Sequence, residues 1–532
     1  MQLSPRFKLF SQPLDRYAIG LAAFLAVAIA ILLWVGDRTA PQVREFSWQG
    51  QRIDATNISF SLTFNRPMER DSVEKNLKIS PPLAGKISWS SRRMSYTPLA
   101  PAIYGKSYTV KLENAYDRFA SESGNKKAIE PFTGSFTTPN PYFAYIGSQG
   151  EEKGRLIIYD ARQKDKRVLT PANLVVLDFR IYPDRQKILF GAIESVGQSL
   201  LDQKLYVVTT GIDREDRLTS NPPEIKPILG SDDFQNFKFD LSPDGKNILV
   251  QRLSRQQVGR YGLWLIKDNE QPRSLDNQPG GDFMFTPDSA SVAIAQGEGV
   301  AILPLEPQAP PLDFLPRFGT VLNFGRSGTQ AATIKFNKDY TRSLYLVNNQ
   351  GLQKELTKIN GSILGAQFDP QEKTLYCLLT DVEQDTAKNI FREKPYLAAI
   401  NLETAELRRL LELPPQREVQ FNIAPDGQSI LLNSAIPSDK NTSNSPPISE
   451  DSAQASRASR APQVPTQLVM LPINNNQGAN PLQPEVLPMF GTDPRWVPKT
   501  TSIFGTKYKK IISSVAKQQF RVISCISFRK FP

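Results

Sequence analysis

Three patterns of apolar and polar positions divide the chain. The first is a run of twenty residues without a charge, Tyr17–Gly36, dense in alanine, leucine and isoleucine. At about 1.5 Å per residue, a helix of that length matches the roughly 30 Å hydrocarbon thickness of a bilayer. No polar stripe interrupts it, which argues against a core helix. The second pattern begins at residue 46, where the period falls to two. Ile58, Phe60, Leu62 and Phe64 alternate with Ser59, Ser61 and Thr63, which describes a strand with one buried and one wet face. Further strands are expected around Ile79, Ile87–Trp89, Met94–Thr97, Tyr108–Leu112 and Gly134–Thr138, separated by Pro81-Pro82, Pro98 and Tyr104-Gly105. About seven short strands over residues 46–139 predict a β-sandwich.

The third pattern is a repeat. An aromatic residue is followed by Pro-Asp-Gly or a relic of it, then by an aliphatic strand. Full copies are Phe239 to Gly245 with Ile248-Leu249-Val250, and Phe421 to Gly427 with Ile430-Leu431-Leu432. Weaker copies run Phe179 to Asp184, Phe283 to Asp288 and Phe368-Asp369-Pro370, and Phe324-Gly325-Arg326-Ser327-Gly328 has lost its proline. Proline presets φ, aspartate bonds the local backbone and glycine takes the positive-φ position, so two strands meet in a hairpin. A further strand follows, as at Lys204–Val208, Gly262–Ile266 and Ser343–Val347. Another tends to end on a Leu-Thr stop, as at Arg217-Leu218-Thr219 and Glu355-Leu356-Thr357. The prolines at 183, 243 and 287 are spaced by 60 and 44, and those at 370 and 425 by 55. Repeats of about 40–60 residues with four strands each read as propeller blades over 141–498. The first copy, residues 142–170, lacks its leading strand, and Asp493–Pro498 supplies one. The two ends would share a blade, giving seven, with six or eight as alternatives.

Two resemblances follow from these residues. Phe64-Asn65-Arg66-Pro67-Met68, Trp89, Tyr96-Thr97-Pro98, Gly105 to Val110, Asp117, Gly124 and Phe136-Thr137-Thr138 resemble the bacterial Ig-like domain of the SbsA type. That resemblance implies a spacer or binding module at the cell surface and no catalysis. The repeats resemble the TolB-type, WD-repeat-like β-propeller. The expected fold class is therefore all-β, with an N-terminal transmembrane helix, an Ig-like sandwich and a propeller.

Charge refines the first pattern. Arg6, Lys8 and Arg16 precede the apolar run against Asp15, whereas Asp37 and Glu45 balance Arg38 and Arg44 beyond it. Positive flanks stay cytoplasmic, so residues 1–16 are expected inside and the rest of the chain outside. Ala40, the best small-residue cleavage site, is flanked by Arg38 and Pro41, which disfavours a removed signal peptide. No cysteine follows the run to carry a lipid. Residues 37–45 would then be a linker. The net charge of +11 suggests nucleic acid, yet residues 499–532 hold eight Lys/Arg and no Asp/Glu, which leaves +11 − 8 = +3 for the remainder. A nucleic-acid footprint needs a basic face on a folded module, so no nucleic-acid partner is expected. The basic tail is read as an unstructured end, with a basic arm for acidic lipid or polymer as the alternative. Residues 436–466, with seven serines and five prolines, are read as a disordered loop within the last blade.

The chemistry is bounded by what the chain lacks. With no histidine, there is no Ser-His-Asp triad, Cys-His dyad or histidine-ligated zinc. Cys377 and Cys525 form no Cys-x-x-Cys pattern and are expected as free thiols, with one long-range disulfide as the alternative. There is no Gly-x-Ser-x-Gly elbow, and Gly325-Arg326-Ser327-Gly328 is a hairpin turn by position. Asp232-Asp233 lacks calcium-loop spacing, and Asp184, Asp244, Asp288 and Asp426 are turn formers. No catalytic, cofactor-binding or metal residue is assigned, and no cofactor is expected. The expectation is a non-enzymatic, membrane-anchored extracytoplasmic scaffold whose propeller recruits an envelope protein or cell-wall polymer. The alternative is a carbohydrate-active propeller using paired carboxylates in its channel.

Overall fold

The computed structural model describes residues 13–498 apart from 36–39, 55–56, 119–126, 195–198, 214, 258, 268–269, 276–280, 297–298, 307–312, 317, 386–389, 417, 436–465 and 474–481. The expected loop at 436–466, except Thr466, and the tail with Cys525 lie outside the described residues, as does Gly124. Contacts divide the chain into two compact units. One comprises Met1–Gln51, Ser59–Leu99 and Tyr108–Phe136; the other comprises Arg52–Ile58, Ala100–Ser107 and Thr137–Pro532.

The apolar run falls on a 23-residue helix, Pro13–Val35, whose Tyr17, Leu21 and Phe24 are well exposed. Its side chains are described from 17 to 31 only. Among the described residues, no helix is long and apolar enough to cross a membrane.

The sandwich has two antiparallel sheets. Val43–Phe46, Phe60–Phe64, Arg93–Pro98 and Gly85–Ser90 pair in that order, and Leu77–Ser80, Ser107–Leu112 and Phe132–Thr137 form the second sheet. Aromatics on neighbouring strands stack within each sheet. Phe60 stacks on Tyr96 and Tyr108 on Phe136, each at 5.0 Å between ring centres. Asp117, one of the resemblance-bearing residues, is buried and pairs with Arg66 at 3.3 Å. Two details depart from the expected alternation. Ile58 is 74% exposed and lies before the strand, while Ser61 is buried and its N–H donates to Ser47 Oγ. A helix, Arg70–Asn76, was invisible to periodicity because it buries only Ser72 and Val73.

The second unit is built from antiparallel sheets of four strands. Five are self-contained, beginning at Val175–Ile181, Phe234–Leu241, Phe283–Phe285, Thr320–Phe324 and Ile363–Phe368. The remaining strands join in one seven-stranded sheet through a single long strand, Glu485–Trp496. Its first half pairs with Thr466–Pro472 and its second half with Tyr142–Gly147. Trp496 opposes Phe143, Arg495 opposes Ala144 and Thr492 opposes Ile146. Split at that strand, the sheet is two four-stranded blades, making seven in all among the described residues. The apolar clusters close the circle. Each lies between consecutive blades, and one joins Leu431, Leu468 and Met489 to Phe143, Tyr145 and Ile157. One expectation is corrected: Leu218 makes only an isolated bridge to Ile212, and the fourth strand of that blade is Ile225–Leu229. Leu218 packs on the apolar cluster instead, and the ladder resumes beyond Pro222-Pro223.

Candidate functional site

The repeated turns sit between the first and second strands of six blades. Each closes with the same backbone bond, from Arg185 to Tyr182, Gly245 to Ser242, Ser289 to Thr286, Gly328 to Gly325, Glu372 to Asp369 and Gly427 to Ala424. The proline-free copy therefore folds like the rest. The aspartates do local work. Asp184, Asp244, Asp288 and Asp426 each accept a backbone N–H two residues ahead at 2.9–3.1 Å. Gly245 has φ +73°, and a Cβ there would come within 2.8 Å of Pro183 Cδ in the preceding blade. The turn glycine thus serves both its own hairpin and the fit between blades.

At the other end of this logic lie the leading strands, which contact one another between neighbouring blades. Polar side chains on them tie each blade to the next. Phe285 N–H donates to Asp240 Oδ2 at 3.1 Å, and Phe368 N–H to Asn323 Oδ1 at 3.3 Å. Ile423 N–H donates to Gln367 Oε1 at 3.1 Å, and Trp496 N–H to Asn422 Oδ1 at 2.8 Å. Charged pairs complete the girdle where the chain's propeller ends meet. Arg495 donates to Asp493 at 2.8 Å and to Asp178 at 3.0 Å, and Arg180 donates to Asp178 at 2.6 Å and to Asp240 at 3.2 Å. The guanidinium groups of Arg495 and Arg180 also lie over Phe179 and Phe239 of the next blade.

The electrostatics separate the two carboxylates that share Arg495. Burial penalises the charge on Asp178, but Arg180 and Arg495 outweigh it and hold the group below its ordinary value. Burial of Asp493, together with repulsion from Asp178, pushes that carboxyl up despite Arg495. Burial disfavours the Arg180 cation, yet Asp178, Asp240 and Asp493 more than restore it. A second buried pair lies within the blade that begins at Val175. Arg185 meets Asp216 at 2.7 Å with both side chains 4% exposed, and Asp216 also accepts from Asn140 N–H.

A polar cleft of about 320 Å³ opens between the first two of the five self-contained blades, lined by Asp202, Lys204, Ser231, Asp232 and Arg255. Arg255 is held there by Asp202 and by the carbonyls of Ser231 and Leu201. Cys377 is fully buried, and burial raises its thiol far above the ordinary value. Among the described residues, no three histidine, cysteine, aspartate or glutamate side chains are grouped to hold a metal.

No site residue was assigned from sequence, and the girdle went unread. Its partners lie about 45 to 320 positions apart, beyond any local motif. A signal was nonetheless present: charged residues flank the leading-strand aromatics in Asp178-Phe179-Arg180, Lys238-Phe239-Asp240 and Arg495-Trp496.

Comparisons with known proteins agree with this division. Residues 37–138 match the family model of the bacterial Ig-like domain. A search of curated proteins finds no match. Among solved structures, TolB from Acinetobacter baumannii is 12% identical, with a TM-score of 0.37 over 80% of this chain and 83% of that one. An oligogalacturonate lyase from Vibrio parahaemolyticus is 10% identical, with a TM-score of 0.39 over 56% and 87%. With likenesses this distant, the blade assignment rests on the chain's own strand pairing. The chain joins a bacterial Ig-like domain to a β-propeller that has seven blades among the described residues and is closed by the strand Glu485–Trp496.

Proposed function

We propose that this protein is a non-enzymatic, membrane-anchored scaffold on the outer side of a bacterial membrane. The Pro13–Val35 helix serves as the single-pass anchor, with the N-terminus in the cytoplasm. The Ig-like domain acts as a spacer, and the propeller recruits an envelope protein or a cell-wall polymer. The observation that supports this reading is the commitment of the leading-strand carboxylates. Asp178 and Asp493 are bonded to arginine, and Asp240 is bonded to Arg180 and to a backbone amide. A carboxylate whose lone pairs are filled by a guanidinium is a poor proton donor or nucleophile.

One observation favours a second reading, a carboxylate-dependent enzyme acting on carbohydrate. A single arginine touches both Asp178 and Asp493, and their environments push the two acids in opposite directions. Such a split is what acid–base pairs use. Crosslinking on intact membranes, followed by incubation of the purified protein with envelope polysaccharides, separates the two readings. The scaffold expects a defined crosslinked partner and no new reducing ends or unsaturated products. Polymer cleavage that disappears in Asp493→Asn would replace it with the enzyme.

A further inference from the structure

The blade that begins at Phe234 contains a buried arginine without an ion-pair partner among the described residues. Arg252, on the strand Asn247–Ser254, is 6% exposed, and among the described residues no carboxylate lies within ion-pair distance of it. Its Nε donates to Asn236 Oδ1 at 3.1 Å, and its guanidinium lies 4.2 Å from the Phe234 ring and 5.1 Å from that of Trp264. Among the described residues, neither terminal nitrogen of Arg252 makes a hydrogen bond. Burial lowers the basicity of Arg252 to about 10, with Asp233 opposing the shift from a distance. Asp233 is exposed and accepts a hydrogen bond from Gln256 Nε2. Aromatic faces stabilise a cation by only part of what an ion pair supplies.

A second guanidinium converges on the same rings. Arg260 lies 5.7 Å from Phe234 and 5.2 Å from Trp264, and its guanidinium donates to the neutral Gln257 Oε1 at 3.2 Å. Access comes from a glycine. In the strand ladder Arg252 is directly opposite Gly262, so a side chain at 262 would project on the same face. Nothing lies within 4 Å of where its Cβ would be.

We propose that Arg252 and Arg260, framed by Phe234 and Trp264 and reached across Gly262, form a binding site for an oxyanion, either a carboxylate or a phosphate ester. The planar fork of a guanidinium matches both groups. This site is separate from the girdle and stands whether the propeller scaffolds or catalyses.

Calorimetric titration of the full-length protein in detergent, at constant ionic strength, tests it with acetate, methyl phosphate and chloride as probes. Saturable binding of acetate or methyl phosphate, absent with chloride, is expected, and the preferred probe assigns the ligand's acid group. Arg252→Gln should weaken it by about tenfold or more. Gly262→Val fills the opening without removing a charge, so it should abolish binding while leaving the anion-free melting curve in place. Arg255→Gln, already committed to Asp202, should bind like the wild type. Equal responses to all three anions, or binding undiminished in both Arg252→Gln and Gly262→Val, would overturn the site.

Discussion

At the scale of single residues, the two acids on Arg495 make opposite contributions to stability. Asp178 has a folded-state value below its ordinary 3.8, so its contribution is present above that value and is lost as pH falls through the lower folded one. Asp493 is shifted the other way, so it costs stability progressively as pH rises from 3.8 to its higher folded value, and the full cost stands above that. Asp178→Asn leaves Arg180 and Arg495 each short of an anionic partner. It should lower stability near pH 7 by about 2 kcal/mol, discounted for the partial exposure of Asp178. That deficit should hold from neutrality to about pH 5 and close only in the acid range below 3.8. Asp493→Asn should cost less at neutral pH, and asparagine tolerates the left-handed backbone at that position, φ 50°. Thermal unfolding of the two variants across pH checks the order. A larger loss for Asp493→Asn would show that Asp178 is not the more stabilising of the two acids.

At the scale of elements, the shared strand Glu485–Trp496 is the piece on which closure depends. Removing residues 499–532 leaves its ladder untouched, and the melting transition should stay nearly constant. Removing the chain from residue 491 onward deletes the pairing with Phe143, Ala144 and Ile146 and extracts buried Trp496. A loss of several kcal/mol is expected from the exposed edge and the emptied volume. Equal melting of the two truncations would show that this strand does not hold the ring together. The element was legible in sequence because Asp493–Pro498 looks like a leading strand without a hairpin after it, while residues 142–170 look like a hairpin without a leading strand. The turns were legible for a similar reason: φ, donor and acceptor requirements fall within four adjacent residues. The girdle was not, because Arg180, Asp240 and Arg495 meet only after the strands carrying them have been placed side by side. The missed Ile225–Leu229 strand shows the converse error, in which a familiar Leu-Thr ending outweighed the two prolines that actually precede the ladder.

At the scale of the whole molecule, the arrangement of charge around the apolar helix sets the expected topology. Arg6, Lys8 and Arg16 should keep the N-terminus in the cytoplasm and place the sandwich and propeller outside. A reporter active only outside the cytoplasm, fused after residue 140, should therefore function, and one active only inside should be silent. The reverse pattern would overturn both the anchor and the envelope role. The strand that unites the last blade with the first also fixes a delay. Phe143 leaves the ribosome about 350 residues before its partner Trp496. At about 5–20 residues per second, that is roughly 20–70 s of synthesis during which Tyr142–Gly147 has an open edge. Through that interval the edge is exposed to pairing with other nascent chains, so the growing ring is at its most vulnerable to aggregation before its last strand arrives.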